Sequence, residues 1–556
     1  MRKTIIILLS CTILLLLGYC GYRAYGLWKQ SHWMALARQY AEKKDARNEF
    51  LCLKQALVVN PRNVEACRMM ANLAAATGSP ATLTWREKVV ELDPASLNDR
   101  LALVQTAIIL SDYSAATNAL AGADPADKTT PNYLDVAGEL ATAENKPDEA
   151  EADFAEAARL DPSNPVSQFS LAFLQLHGTN PLDMAEARIN LKRLSMNCTN
   201  LLVRSQAERQ LVYDAMRFKD YNSALSFSKE LVQQPNAVFP DKLLRLDILR
   251  TAKNDEYNSA LAACQRQAAG DTNRLTEMTF WLMARNLTPD ALAWLQSLPP
   301  NIQTNPPAAV LAVQCQIRLK DWQAVQDAAS HENWGNMEFM RHAYLALALR
   351  QQGFYQPSKA EWELAARAAT GQLNKMTALI RFAAQWNWQD ETQQMLWDIV
   401  EGFPAEKWAE QLLEQVFYQN GSTRSLMQLL SMKVTRNPSD LQAKNDLALV
   451  AMLLHAQELN PYDLAHEVYQ KDPTNSFYQC TYGFALHLQG KNADALKVMQ
   501  QLSPQALQNN STAGYYGVVL NAAGDKSQAG IYLKRSVRGQ LLPEERALFQ
   551  QAMTGP

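Results

Sequence analysis

Residues Thr130 to Asn164 read TPNYLDVAGELATAENKPDEAEADFAEAARLDPSN, and this stretch decides the fold. Tyr133, Leu134, Ala137, Gly138 and Ala141 recur at helical spacing, and Ala150, Phe154 and Ala157 do so again after Asn145-Lys146-Pro147. Two short amphipathic helices joined by a tight turn therefore end at Asp161-Pro162. Asp93-Pro94 lies 68 residues earlier, twice 34, and Asp472-Pro473 closes a similar segment far downstream. A 34-residue period of helix, turn, helix and proline predicts a stacked helical array.

Working outward, the same unit begins at Gln30 as QSHWMALARQYAEKKDARNEFLCLKQALVVNPRN. Trp33, Leu36, Ala37 and Tyr40 share one helical face. Phe50, Leu53, Ala56 and Leu57 form the second stripe, and Asn60-Pro61 ends it. Two antiparallel helices approach closely only where a small residue meets the partner, while large residues one turn away fill the space to the next unit. The unit at Val64–Ser96 carries Met70, Ala71, Ala74 and the turn Gly78-Ser79-Pro80. A third begins at Leu97, and a fifth at Pro165 with an expected longer turn around Gly178–Pro181. Further turns are expected at Lys219-Asp220, Lys320-Asp321, Gln352-Gly353, Gln489-Gly490 and Ala523-Gly524, and Leu541–Met553 should form a closing helix.

Trp33, Leu36, Tyr40, Ala56 and Pro61 resemble the tetratricopeptide repeat, with Ala37 where that family prefers Gly and Glu49 where it prefers Ala. The resemblance implies an all-α fold: an α-solenoid, a right-handed superhelix of antiparallel helix pairs. It also implies that the first helices line a concave groove that binds other proteins. The expected organisation is a stub at 1–4, a transmembrane helix at 5–24 and an array at 30–270. Divergent tryptophan-rich repeats follow at 271–437, array units at 438–540, and a capping helix and tail at 541–556.

The membrane span rests on an uncharged run from Thr4 to Tyr22 containing ten Ile and Leu residues. Nineteen residues at 1.5 Å each reach about 28 Å, close to a ~30 Å hydrocarbon layer. Tyr19, Tyr22, Tyr25 and Trp28 then recur every third residue, as an aromatic band at the headgroups would. A cleaved signal peptide begins in the same way, with Ala24-Tyr25-Gly26 as its cleavage site, but the helical pattern runs straight on through Trp28 and Trp33. Lys and Arg balance across the span, and the short N-terminal stub places the array on the periplasmic face of a bacterial inner membrane.

A formal charge of −3 with evenly spread Lys and Arg excludes a nucleic-acid footprint. Eight cysteines make no disulfide framework, although Cys52 and Cys67 fall on neighbouring helices. The sequence contains no phosphate loop, His-Glu-x-x-His, Cys-x-x-Cys or Gly-x-Ser-x-Gly. His331/His342 and His455/His466 share an 11-residue spacing that needs an uninterrupted helix to bring both onto one face. No catalytic residue, metal or cofactor is expected.

Two sets of residues are candidates for partner binding. The first-helix face carries Arg68, Asn72 and Gln105, the start of a basic-and-Asn clamp that Leu101 and Ala102 do not complete. The second is aromatic: nine of twelve tryptophans lie between Trp281 and Trp408, among them Trp322, Trp334, Trp386 and Trp388. Exposed in a groove, these rings would anchor peptides or stack on sugars; packed inside, they fill wide spaces between repeats. Trp386 and Trp388 flank one residue and could not share a face of a helix. The leading expectation is a membrane-anchored, non-catalytic scaffold for other proteins. The alternative is a component of a polysaccharide export or assembly system.

Overall fold

The computed structural model describes residues 25–331 and 333–554, and among them no strand occurs. The expected span at 5–24 lies outside the described residues, and no helix within them is long and apolar enough to cross a membrane. The chain divides into two compact units, the first ending at Trp281 and the second beginning at Leu282.

The first unit is a run of helix pairs. A helix over 25–42 pairs with Ala46–Val59, Val64–Ala76 with Thr82–Leu92, and Leu97–Ile109 with Tyr113–Ala121. Pro131–Ala143 pairs with Pro147–Leu160, Pro165–His177 with Pro181–Asn197, Leu201–Arg217 with Tyr221–Gln233, and Phe239–Thr251 with Tyr257–Ala268. The second unit continues the scheme from Ala308–Leu319 and Trp322–His331 to Asn510–Ala522 and Lys526–Ser536. Pro543–Thr554 then closes it, in the place expected for 541–553. One core of that unit runs from Phe339 to Phe549, through the division expected at 437–438.

Local chemistry sets both kinds of turn. Within a pair, one residue takes the left-handed conformation: Lys44, Gly78, Ser111, Asn145, Lys219, Asn387, Gly421 and Gly490 have φ between 55° and 79°. The following N–H then reaches back over the helix end, as Lys146 does to the Ala141 carbonyl at 2.8 Å. The turn at Gly178–Asn180 departs from this pattern without being longer. It is three residues, like 144–146, and Asn180 starts the next helix by accepting from the Leu182 N–H. What is lengthened is the helix after it.

Between pairs, a four-residue connector recurs as Asn60-Pro-Arg-Asn63, Asp161-Pro-Ser-Asn164, Asn437-Pro-Ser-Asp440 and Asp472-Pro-Thr-Asn475. Its first side chain accepts from the backbone two residues on, at 3.0–3.3 Å. Its last side chain caps the next helix at 2.9–3.0 Å. The proline prevents the preceding helix from continuing.

The eighth residue of the first helices marks the close approach: Ala71, Val104, Gly138, Ala172, Ala448, Gly483 and Gly517 are buried there. A Cβ on Gly138 would lie 2.8 Å from the Phe154 ring, so the expected small-residue contact is a direct steric requirement. Glu208 occupies the same place in Leu201–Arg217 and is 1% exposed. Cys52 and Cys67 are free and buried.

Candidate partner-binding surfaces

In the first unit the anticipated groove residues are already engaged. Arg68 donates from Nε and Nη2 to both oxygens of buried Asp99 at 2.8 and 2.5 Å, and lies 3.7 Å from Asp93. The guanidinium holds the Asp99 carboxyl below its usual range. Asn72 accepts from Arg86 at 2.8 Å, and Gln105 donates to Glu139 at 3.0 Å. Similar rungs join Arg38 to Glu65, Ser167 to Asp135, and Arg209 to Asp241. Most of these pairs lie 27 to 34 residues apart, so each ties one first helix to the next. Arg68 and Gln105 are thus parts of the ladder that stacks the units, and a ligand using them must first break a rung.

In the second unit the tryptophans are mostly interior. Trp334 and Trp388 are 2% and 6% exposed, contrary to an open aromatic groove, while Trp322 and Trp386 are half-buried. Trp386, Trp388 and Trp362 form one cluster: the ring centroids of the first two are 5.0 Å apart, and Trp362 lies 6.4 and 5.5 Å from them. Tyr344 bridges Trp334 and Trp386 at 6.2 and 6.3 Å, and burial pushes its hydroxyl up to about 12. Contrary to expectation, Trp386 and Trp388 do not diverge, because neither is inside a helix. Leu373–Gln385 ends before them, Asn387 turns the chain at φ 59°, and both rings fall back onto the same core. Arg350 sits 3.6 Å over Trp388 and pairs with Glu391.

An unanticipated feature lies at the end of the second unit, where the chain returns to helices about 120 residues earlier. Tyr418 donates to the Gln540 carbonyl at 3.4 Å, Thr423 donates to Glu544, and Pro543 packs against Gly421. Phe549 is fully buried and its ring occupies the space over Gly514, where a Cβ would lie 2.2 Å from it. This return encloses a half-open cavity of about 640 Å³. Its floor is Leu426, Leu430 and Leu449, and its walls carry Gln411, Glu414, Gln415, Gln419, Asp446, Gln540 and Glu545.

The cavity is lined by hydrogen-bond acceptors. Lys433 neutralises Glu414 at 2.7 Å, but Asp446 and Glu545 are held by neutral donors. Gln442 and Asn445 amides donate to Asp446 at 2.9 to 3.1 Å. Ser511, Tyr515 and the Leu542 N–H donate to Glu545, the latter two at 3.0 and 2.9 Å. Burial raises the Asp446 carboxyl, and burial together with the Glu545 charge pushes Tyr418 up to about 12. Amide and carboxylate acceptors over an apolar floor suit a peptide segment carrying cationic or amide groups. One signal was present in the sequence: Gln411, Gln415 and Gln419 recur every fourth residue and so share a helix face.

No group of three or more metal-ligating side chains occurs among the described residues. His455 sits in a turn at φ 54° and His466 on Pro461–Lys471, so that pair shares no helix. His342 pairs with Glu361 at 2.6 Å.

No protein-family model matches the chain, and no curated protein is similar to it in sequence. Among solved structures, it is similar to that of pilF from Pseudomonas aeruginosa at 15% identity, covering 40% of this chain and 97% of that one, with a TM-score of 0.32. It is similar to PilW, described as a widely conserved type IV pilus biogenesis factor, at 17% identity over 43% and 92%, with a TM-score of 0.27. The Cut9–Hcn1 hetero-tetramer of APC/C matches at 12% identity over 82% and 96%, with a TM-score of 0.28. These neighbours are helical-repeat proteins of the tetratricopeptide type. Likenesses of this size say nothing about this chain's partner.

Proposed function

We propose that this chain is a non-catalytic scaffold, anchored in a membrane through residues 5–24, that holds a segment of another protein in its C-terminal cavity. The observation that carries the reading is the half-open cavity of about 640 Å³ walled by Gln411, Gln415, Asp446 and Gln540. It is roomy and polar, whereas Arg68 and Gln105 are spent on holding repeats together and Asn72 on Arg86 of its own pair. The reading includes a right-handed superhelical course of the pairs and an array on the periplasmic face of a bacterial inner membrane. Tyr25, Leu27 and Trp28, 59%, 67% and 62% exposed, support an anchor immediately before them, since such side chains favour the headgroup layer. Anchoring would raise the local concentration of membrane-bound partners.

Capture of cross-linked partners by the full-length chain from native membranes tests this reading. Gln415→Arg with Gln419→Arg should reduce the captured partner at least about tenfold by placing like charge against a cationic segment. Equal capture by that variant would refute the cavity as the site. Protease added to spheroplasts should digest the array, and full protection would refute the orientation. The polysaccharide alternative draws on the same amides and carboxylates, which can also bond sugar hydroxyls. It has lost most of its stacking surface, because of the tryptophans from Trp294 to Trp408 only Trp408, at 37%, is exposed rather than buried or half-buried. A glycan that shifts tryptophan fluorescence while no protein is captured would favour it.

A further inference from the structure

Pro181–Asn197 is the second helix of its pair, and its 17 residues exceed the 14 of Pro147–Leu160 and the 13 of Tyr221–Gln233. Its inner face is an ordinary core face: Ala187, Leu191 and Leu194 are 0–3% exposed. Its outer face is unlike its neighbours. Leu182, Ile189 and Met196 are 79%, 69% and 59% exposed, and seven residues separate each from the next. The outer faces of the two flanking second helices are mainly polar, with Asp148, Glu149 and Arg159, and Asn222, Lys229 and Glu230; their exposed large aliphatic is Leu160, at 40%. Seven residues are close to two helical turns, so the three aliphatic side chains stand in one line along the helix. Apolar side chains so exposed and so aligned offer a seam on which another helix can pack.

The charges beside the line say which helix that is. Exposed Glu186 lies three residues before Ile189, and exposed Lys192 lies three after it; small Ala185 lies four before, and Arg193 four after. A two-fold axis through Ile189 sets residue 189 − k opposite residue 189 + k of an antiparallel second copy. Leu182 then meets Met196, Glu186 meets Lys192 at two symmetric places, and Arg193 passes over Ala185. A parallel pairing in register would instead set Glu186 against Glu186 and Lys192 against Lys192. We propose that this surface is a homodimer contact, in which helix Pro181–Asn197 packs antiparallel on itself about Ile189. The contact is isologous and closes as a dimer. A single helix crossing covers less than the ~800 Å² per partner of a standard interface, so the dimer is weak and best read by cross-linking.

The test uses the full-length chain with Cys11 and Cys20 replaced by Ser, so that only introduced thiols are exposed. Ile189→Cys, mildly oxidised, should give a disulfide-linked species of twice the mass, and Lys229→Cys on the neighbouring helix should not. Glu186→Lys in the Ile189→Cys background should lower the cross-linked yield about tenfold by creating two repulsive pairs. Adding Lys192→Glu should restore the yield to within about twofold, since the exchange of signs recreates both attractions. No dimer from Ile189→Cys, equal yield from Lys229→Cys, or failure of the double exchange to restore the yield would each overturn the proposal. Glu186, Ile189, Lys192 and Lys229 are exposed positions, and unchanged circular dichroism verifies the fold.

Discussion

Between Arg38 and Asp241, most successive first helices are tied by charged or polar rungs such as Arg68–Asp99 and Arg209–Asp241. Between Trp334 and Phe549, the ties are stacked rings and a terminal helix that returns to Tyr418–Thr423. Both devices follow from the same constraint, because a helix pair cannot bury its apolar face alone and must be fixed to the next. The ladder spends polar side chains of the first helices, leaving few of them for a ligand. The aromatic core withdraws its large side chains inward, and the returning helix leaves amides and carboxylates facing an unfilled space. The more regular half is therefore the framework, and the less regular half holds the candidate site.

The difference breaks most readily at the returning helix. Phe549→Ala removes a fully buried ring that fills the hollow over Gly514, and should lower the stability of the second unit by about 3–5 kcal/mol. Urea unfolding followed by tryptophan fluorescence measures this, and the first unit's transition should not move. A smaller effect is expected in the ladder. Arg68→Ala strands the Asp99 carboxylate, which is 5% exposed, and should cost roughly 1–3 kcal/mol. Asp99 has a lowered folded value, so its contribution is present above the ordinary 3.8 and is lost as pH falls through the folded value. The destabilisation by Arg68→Ala should therefore be full above about 3.8 and shrink as pH falls below it, which unfolding of wild type and variant at pH 7 and in acid measures.

Glu208 sharpens the contrast with a still smaller effect. Burial pushes its carboxyl up to about 7 from 4.5, against the opposing hydrogen bond from Gln234. The folded chain thus favours the proton: the cost of ionising Glu208 is absent below about 4.5, grows as pH rises, and is complete above about 7. Glu208→Gln keeps an acceptor for Gln234 and removes the charge, so it should stabilise the first unit at pH 8 by about 1–2 kcal/mol and hardly at pH 4.5. Thermal melts at the two pH values separate the cases.

Much of the architecture was legible because it is local. The small residue at Gly138, the turn at Asn145 and the connector ending at Asn164 each act within one 34-residue unit, so their chemistry repeats in the string of letters. What stayed hidden is non-local or conformational. Trp386 and Trp388 read as diverging only if a helix carries them, and the left-handed Asn387 brings them together instead. Arg68 looked like the start of a clamp because its carboxylate partner sits 31 residues away, in the next unit. The cavity unites Gln411 with Gln540 and Glu545, and no periodicity announces a contact between helices about 120 residues apart. Glu208 was readable in principle, as a charged residue at the place where seven other first helices carry Gly, Ala or Val.

Site-specific photocross-linking in native membranes tests the central claim most directly. A photoreactive side chain at Gln415, in the cavity wall, is compared with one at Gln105, on the ladder, in otherwise unchanged full-length chain. A discrete protein adduct is expected from Gln415 and none from Gln105. An adduct from Gln105 with none from Gln415 would contradict it and return the binding site to the groove of the first unit.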